Sequence, residues 1–277
     1  MKKPLEYRQT YLARVAFDGA AYVGWQRQPR GYSIQGILEE GFAQVARIPI
    51  ALRAAGRTDA GVHALDLPCD FAAPFDFDLE KLRRAWNAVI PRNIAVRSVQ
   101  RAPAGFDARR CASQRTYRYL IDTRNERSPF LARYAWQVPG DLDIIGIQSA
   151  LNALVGEHDF TSFRASDCEA RHAVRRINEV KAHAVTAAEL ALLAAWHPFP
   201  GGPEAGLLAL TISGTAFLKH QVRAIVGTLV EVGRGRISPE GFQSILAARD
   251  RRLAGRTAPA HGLTLIRVDF PPEALVE

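Results

Sequence analysis

Two hydrophobic periods organise the first hundred residues. From Tyr11 to Phe17 apolar and polar positions alternate and stop at Asp18-Gly19, which predicts a strand and a turn. Ser33 then precedes apolar residues at Ile34, Ile37, Leu38 and Val45, a helical spacing behind an N-cap residue. A short strand is predicted around Leu52 to Ala55, and another from about Leu67 to Ala72. Asp78 can cap a second helix with Leu79, Leu82, Trp86 and Val89 on one face, and Ile94 to Val99 reads as a closing strand. The order β-α-β-β-α-β is the ferredoxin-like arrangement. It places Asp59 in the connection between the two middle strands.

The second half repeats the theme more loosely. Arg115 to Asp122 reads as a strand, and Ile144, Ile147, Leu151 and Leu154 mark a helix. Strands are predicted near Ile177 to Val185 and Leu207 to Ile212. Helices are predicted from about Leu218 to Val232 and from Pro239 to Ala248, before a last strand from Leu265 to Phe270. Phe199-Pro200-Gly201-Gly202-Pro203 reads as a loop. Helices and strands mix throughout, so the class is α+β. The expected boundary lies near Phe106 to Cys111, dividing an N-terminal α/β domain, 1–108, from a C-terminal one, 109–277.

Composition narrows the partners. Of 36 basic residues 31 are Arg, and the formal net charge is +8. Arginine grips phosphate through a planar fork and stacks on bases. Between Arg109 and Arg133 seven Arg face two acids, Asp122 and Glu126, an electrostatic footprint for nucleic acid that a solvated basic surface would also produce. No apolar run approaches the length of a membrane span. The opening Met1-Lys2-Lys3-Pro4-Leu5-Glu6 lacks the apolar stretch of a secretory signal. Cys69, Cys111 and Cys168 fit no disulfide framework, which suits a reducing cytoplasm.

The candidate chemistry centres on Gly56-Arg57-Thr58-Asp59-Ala60-Gly61-Val62-His63. Two glycines bound a tight loop that carries a carboxylate, a guanidinium, a hydroxyl and an imidazole. A guanidinium beside a carboxylate favours its charged form, and an ionised Asp on a shaped loop is a candidate nucleophile or electrostatic stabiliser. Taken alone, the run reads equally well as a turn with a surface ion pair. His63 reads as a hydrogen-bond donor that closes the loop. In Arg115-Thr116-Tyr117-Arg118-Tyr119 the strand puts Arg115, Tyr117 and Tyr119 on one face. An aromatic there can stack on a base or sit in the core. Arg223 lies on a helix apolar on nearly every face, so its guanidinium needs a partner or a route to solvent. Cys168-Glu169-Ala170-Arg171-His172 holds too few ligands for a closed zinc site, so no metal is expected.

Extended to Ala54–Ala64, the Asp59 run resembles the signature of the TruA family of tRNA pseudouridine synthases. Further matches follow in the family's order. They are Phe17-Asp18-Gly19 with Tyr22-Val23-Gly24-Trp25-Gln26, Ser33-Ile34-Gln35-Gly36 and Arg115–Tyr119. The remainder are His158-Asp159-Phe160-Thr161-Ser162-Phe163, Val222–Leu229 and Thr257-Ala258-Pro259-Ala260-His261-Gly262-Leu263. The resemblance implies a pseudouridine synthase fold: two ferredoxin-like (RRM-like) halves whose sheets join, with a basic cleft between them. It implies an isomerase that converts uridine to pseudouridine in the anticodon arm of tRNA, at positions 38, 39 and 40, and works as a cytoplasmic homodimer. The reaction breaks N1–C1′ and joins C5 to C1′ with no electron transfer, so no cofactor is called for.

By the same resemblance Asp59 is the catalytic nucleophile and Tyr117 the active-site tyrosine. Arg223 is the partner of Asp59, and Arg57 fills the space that an extruded base vacates. Substrate contacts fall to Tyr117, Arg57, Arg109, Arg110, Arg115 and Arg118. The chain departs from the family pattern at Gln221 and Ala224, where Met and Asn are usual, and across Leu65–Phe71. Two rival readings remain. A non-catalytic RNA-binding module would suit the arginines but has no need for Asp59 on its glycine-bounded loop. A glycoside hydrolase would need a second acid beside Asp59.

Overall fold

A computed structural model describes residues 9–186, 189 and 206–275. The loop expected at 199–203 lies outside them. Contacts divide the chain into two compact units: one holds the described residues through Arg115 and again from Thr264, the other Thr116–Leu263.

The first unit is built on β1 (Gln9–Phe17), β2 (Arg53–Ala54), β3 (His63–Ala73) and β4 (Ile94–Ala102), with helices α1 (Ile34–Ala46) and α2 (Leu79–Val89). β1 lies between β4 and β3 and is antiparallel to both, and β2 pairs with the far edge of β3. This is the ferredoxin-like order with β2 cut to two residues. The two caps act where the residue types predict: Ser33 Oγ accepts from Gly36 N–H and Asp78 from Lys81 N–H. α1 buries Ile34, Leu38 and Phe42, and α2 buries Leu82 and Trp86. Val89, expected on the buried face, is 37% exposed at the last turn of α2. Phe42 meets Phe71 of the sheet at 5.1 Å and Trp86 at 5.0 Å, both edge-on, and Trp86 Nε1 donates to Leu38 O at 2.9 Å.

β3 begins four residues earlier than the apolar run suggests, because its start is paired on both edges. Phe17 opposes Ala64 on one side. On the other, the last strand of the chain, β10 (Leu263–Asp269), runs parallel with Thr264 opposite His63. The connections after β1 and after β2 therefore emerge at one end of this sheet. Those connections carry residues 18–33 and 55–62.

The second unit holds β5 (Gln114–Asp122), β6 (Trp136–Gln137), β7 (Gly156–Asp159), β8 (Val174–Ala184) and β9 (Leu207–Gly214), in the order β5-β9-β8-β7 with β6 on β5. In the first unit a one-turn helix α3 (Ala108–Cys111) precedes β5. α4 (Ile144–Asn152), α5 (Gln221–Gly233) and α6 (Pro239–Ala248) complete the second unit. α5 starts three residues later than the apolar spacing predicts. His220 takes a left-handed conformation (φ 61°), and Gln221 Oε1 accepts from Leu218 N–H at 2.8 Å, so 218–220 form a turn instead. No helix among the described residues is long and apolar enough to cross a membrane.

The His158–Phe163 motif is framework. Phe160, Ser162 and Phe163 are fully buried. Ser162 Oγ donates to Ile245 O at 2.6 Å and accepts from Asp250 N–H at 2.9 Å, which fastens the end of α6. Phe163 stacks on Phe242 at 5.4 Å. The Thr161 hydroxyl and amide, with the Arg249 charge, hold the Asp159 carboxyl below its usual range.

Candidate active site

The Asp59 loop is held by the segment that follows β1. Trp25 N–H donates to Thr58 O at 3.1 Å, and Val62 N–H closes the turn on Asp59 O at 3.2 Å. Gly61 takes φ 79° in that turn. Gly24, at φ 104°, lies so close that a Cβ there would sit 2.6 Å from Thr58 O. At Gly19 a Cβ would fall 2.0 Å from Val62 O. Two motifs far apart in the chain thus meet as backbone against backbone, and both glycines are required at the contact. Asp59 is half-buried on this loop, whereas Arg57 is exposed.

Arg57 forms no ion pair among the described residues. His63 closes the loop: its Nδ1 lies 3.1 Å from the Gly19 N and 3.1 Å from Asp18 Oδ1. Arg115 does not face solvent. It is 8% exposed, and its guanidinium donates to Ala55 O at 2.7 and 3.2 Å, Ala112 O at 2.9 Å and Arg109 O at 2.8 Å. It joins the strand before the Asp59 loop to the turn around α3, and is a brace where a phosphate contact was expected. Arg109 and Arg110 are exposed on α3 itself. Arg118 is half-buried, with an Nε that has no hydrogen-bond partner.

The altered strand 65–71 keeps its ladder by pairing its acids. Asp66 meets Arg14, and Asp70, 1% exposed, accepts from Arg53 Nε at 2.8 Å and from Ala108 N–H at 2.8 Å. Burial pushes the Asp70 carboxyl up, and those two donors oppose the shift.

In the second unit Tyr117 and Tyr119 separate in role. Tyr117 is 8% exposed and meets Phe217 edge-on at 5.2 Å. Tyr119 is fully buried and donates to Pro259 O at 2.8 Å. Burial pushes its phenol far above the ordinary range, so it stays protonated. A Cβ at Gly262 would come 2.5 Å from its ring.

Arg223 is presented by α5. Every residue of that helix is buried except Arg223 and Glu231. The segment 255–262 lies along the helix as a strap. Ala258 N–H donates to Arg223 O at 3.0 Å, and Arg223 Nε donates back to Ala258 O at 2.9 Å. Thr228 Oγ1 donates to Ala224 O at 2.9 Å and accepts from Gly255 N–H at 2.9 Å. Gly227 permits this approach, since a Cβ there would fall 1.7 Å from Arg256 O. Gln221 and Ala224, the two departures, are both buried, Gln221 in the turn that opens the helix. The strap was not legible in the sequence, because glycine and alanine spacing does not reveal which backbone comes near.

A family model described as tRNA pseudouridine synthase matches residues 150–271. Among curated relatives, tRNA pseudouridine synthase A of Syntrophotalea carbinolica is 41% identical, covering 95% of this chain and 97% of its own. The protein of the same name from Myxococcus xanthus is 38% identical, covering 92% of this chain and 91% of its own. That of a Methylobacterium species is 37% identical, covering 94% and 97%. Likeness at this level along nearly the whole of each chain shows that the chain belongs to the tRNA pseudouridine synthase A family, a family of isomerases.

Proposed function

We propose that the protein converts uridine to pseudouridine in the anticodon arm of tRNA, at positions 38, 39 and 40, with Asp59 acting at the target ribose. The observation that carries this reading is the build of the Asp59 loop, where Gly19, Gly24 and Trp25 hold the backbone of Thr58–Val62 from behind. A carboxylate on a braced loop is pre-organised for one position, and pre-organisation is what a reaction at a single sugar carbon requires. The isomerisation breaks N1–C1′, turns the freed uracil, joins C5 to C1′, releases the C5 proton and places a proton on N1. Asp59 supplies the negative charge at the sugar, Arg223 balances that charge, and Tyr117 lies against the uracil. Arg57, exposed on the same loop, enters the RNA stack as the target base leaves it. Arg109, Arg110 and Arg118 contact phosphate. The protein works in the cytoplasm as a homodimer.

The test is tritium release from unmodified tRNA labelled at C5 of uridine, followed by mapping of the modified positions. Release with modification confined to 38–40 is the expected result. No release from any tRNA would overturn the reaction, and release with modification elsewhere would overturn the target.

A further inference from the structure

The segment Gln26–Tyr32, between β1 and α1, has no part in the chemistry above, yet it emerges at the same end of the first unit's sheet as the Asp59 loop. It is also tied to that loop by short links. Tyr32 O accepts from Val23 N–H at 3.0 Å, and the next residue, Gly24, rests on the backbone of Thr58–Ala60. Gln28 Nε2 donates to Val23 O at 3.1 Å. Arg27 fastens the segment to α1, with its Nε on Glu39 at 2.9 Å and its Nη1 on Glu40 at 3.1 Å. Gly31 takes φ 82°, and a Cβ there would fall 2.4 Å from Val23 Cγ1. The tip is therefore fixed in shape.

Two side chains stand out from it. Tyr32 is 76% exposed, and Arg30 is exposed with no ion-pair partner among the described residues. Both carboxylates near this segment's root, Glu39 and Glu40, are taken by Arg27. A rigid tip that carries an exposed aromatic ring and an uncompensated guanidinium has the chemistry that meets single-stranded nucleic acid: a face for a base and a charge for a phosphate.

We propose that Gln26–Tyr32 is a substrate-contact surface, on which Tyr32 stacks against an unpaired base of the RNA near the target and Arg30 holds a phosphate beside it. The inference rests on the reading of tRNA as substrate. Ordering a ring that is already held on a fixed loop costs little, so the contact raises affinity and leaves the chemical step alone.

The experiment measures the affinity of unmodified tRNA at several salt concentrations for the wild type, Tyr32→Ala, Tyr32→Phe and Arg30→Ala, with single-turnover tritium release alongside. Tyr32→Ala is expected to bind about tenfold more weakly, with an unchanged salt slope and an unchanged rate once saturated. Tyr32→Phe keeps the ring and should bind as the wild type does. Arg30→Ala should lower the salt slope by about 0.7. Wild-type affinity in Tyr32→Ala, or an equal loss in Tyr32→Phe, would overturn the stacking contact. An unchanged slope in Arg30→Ala would overturn the phosphate contact. Either result leaves the substrate reading standing if the wild type releases tritium from tRNA. A wild type that neither binds tRNA nor releases tritium would overturn both.

Discussion

Arg115 shows how far a residue's chemistry depends on what lies around it. Strand alternation puts it on the face of Tyr117 and Tyr119 and says nothing about the carbonyls that its guanidinium meets. Those carbonyls belong to Ala55, Arg109 and Ala112, and a buried guanidinium left without them would be costly. Arg115→Met keeps most of the aliphatic stem and removes the donors. It should lower unfolding stability by about 3 kcal/mol, read by denaturant titration, while tRNA affinity keeps its wild-type salt slope. A variant of wild-type stability with a shallower slope would return Arg115 to the phosphate contacts. The tight turn that carries Asp59 was legible because the flanking glycines are local. The setting of His63 was not, since its Nδ1 meets a backbone N–H forty-four residues earlier in the chain.

At the scale of elements, caps and periods carried most of the information. Ser33 and Asp78 each stand before an apolar spacing, and each caps the helix that the spacing predicts. The start of α5 misled because Leu218 is apolar and in phase, although the left-handed His220 separates it from the helix. α3, β6 and β7 are too short to show a period, at four, two and four residues. The strap on α5 yields a prediction at this scale. Thr228→Val retains the shape of the side chain but leaves the Gly255 N–H without its acceptor, at a cost of about 1–3 kcal/mol. The strap bonds Arg223 from both sides, so the variant should lose turnover more than tRNA affinity, and Thr228→Ser should recover both. Steady-state kinetics beside equilibrium binding reads the difference. An equal loss of turnover and affinity, or no rescue by Ser, would show that the strap supports the fold alone.

At the scale of the whole molecule, a net charge of +8 carried almost wholly by arginine suits a polyanionic substrate. The two-residue pairing of β10 with the start of β3 joins positions two hundred residues apart, and no local pattern announces such a contact. The seven family matches, by contrast, read in order along the chain, and the relatives match nearly all of it. In the function proposed above, one carboxylate on a braced loop does the chemistry while the rest of the molecule binds and positions the RNA. This division is tested most directly by Asp59→Ala, assayed for tritium release from C5-labelled tRNA and for tRNA affinity in the same preparation. Removing a negative charge from a basic protein cannot weaken its attraction for phosphate. Asp59→Ala should therefore release tritium only at background, with affinity at least equal to that of the wild type. Substantial release by Asp59→Ala would contradict that division.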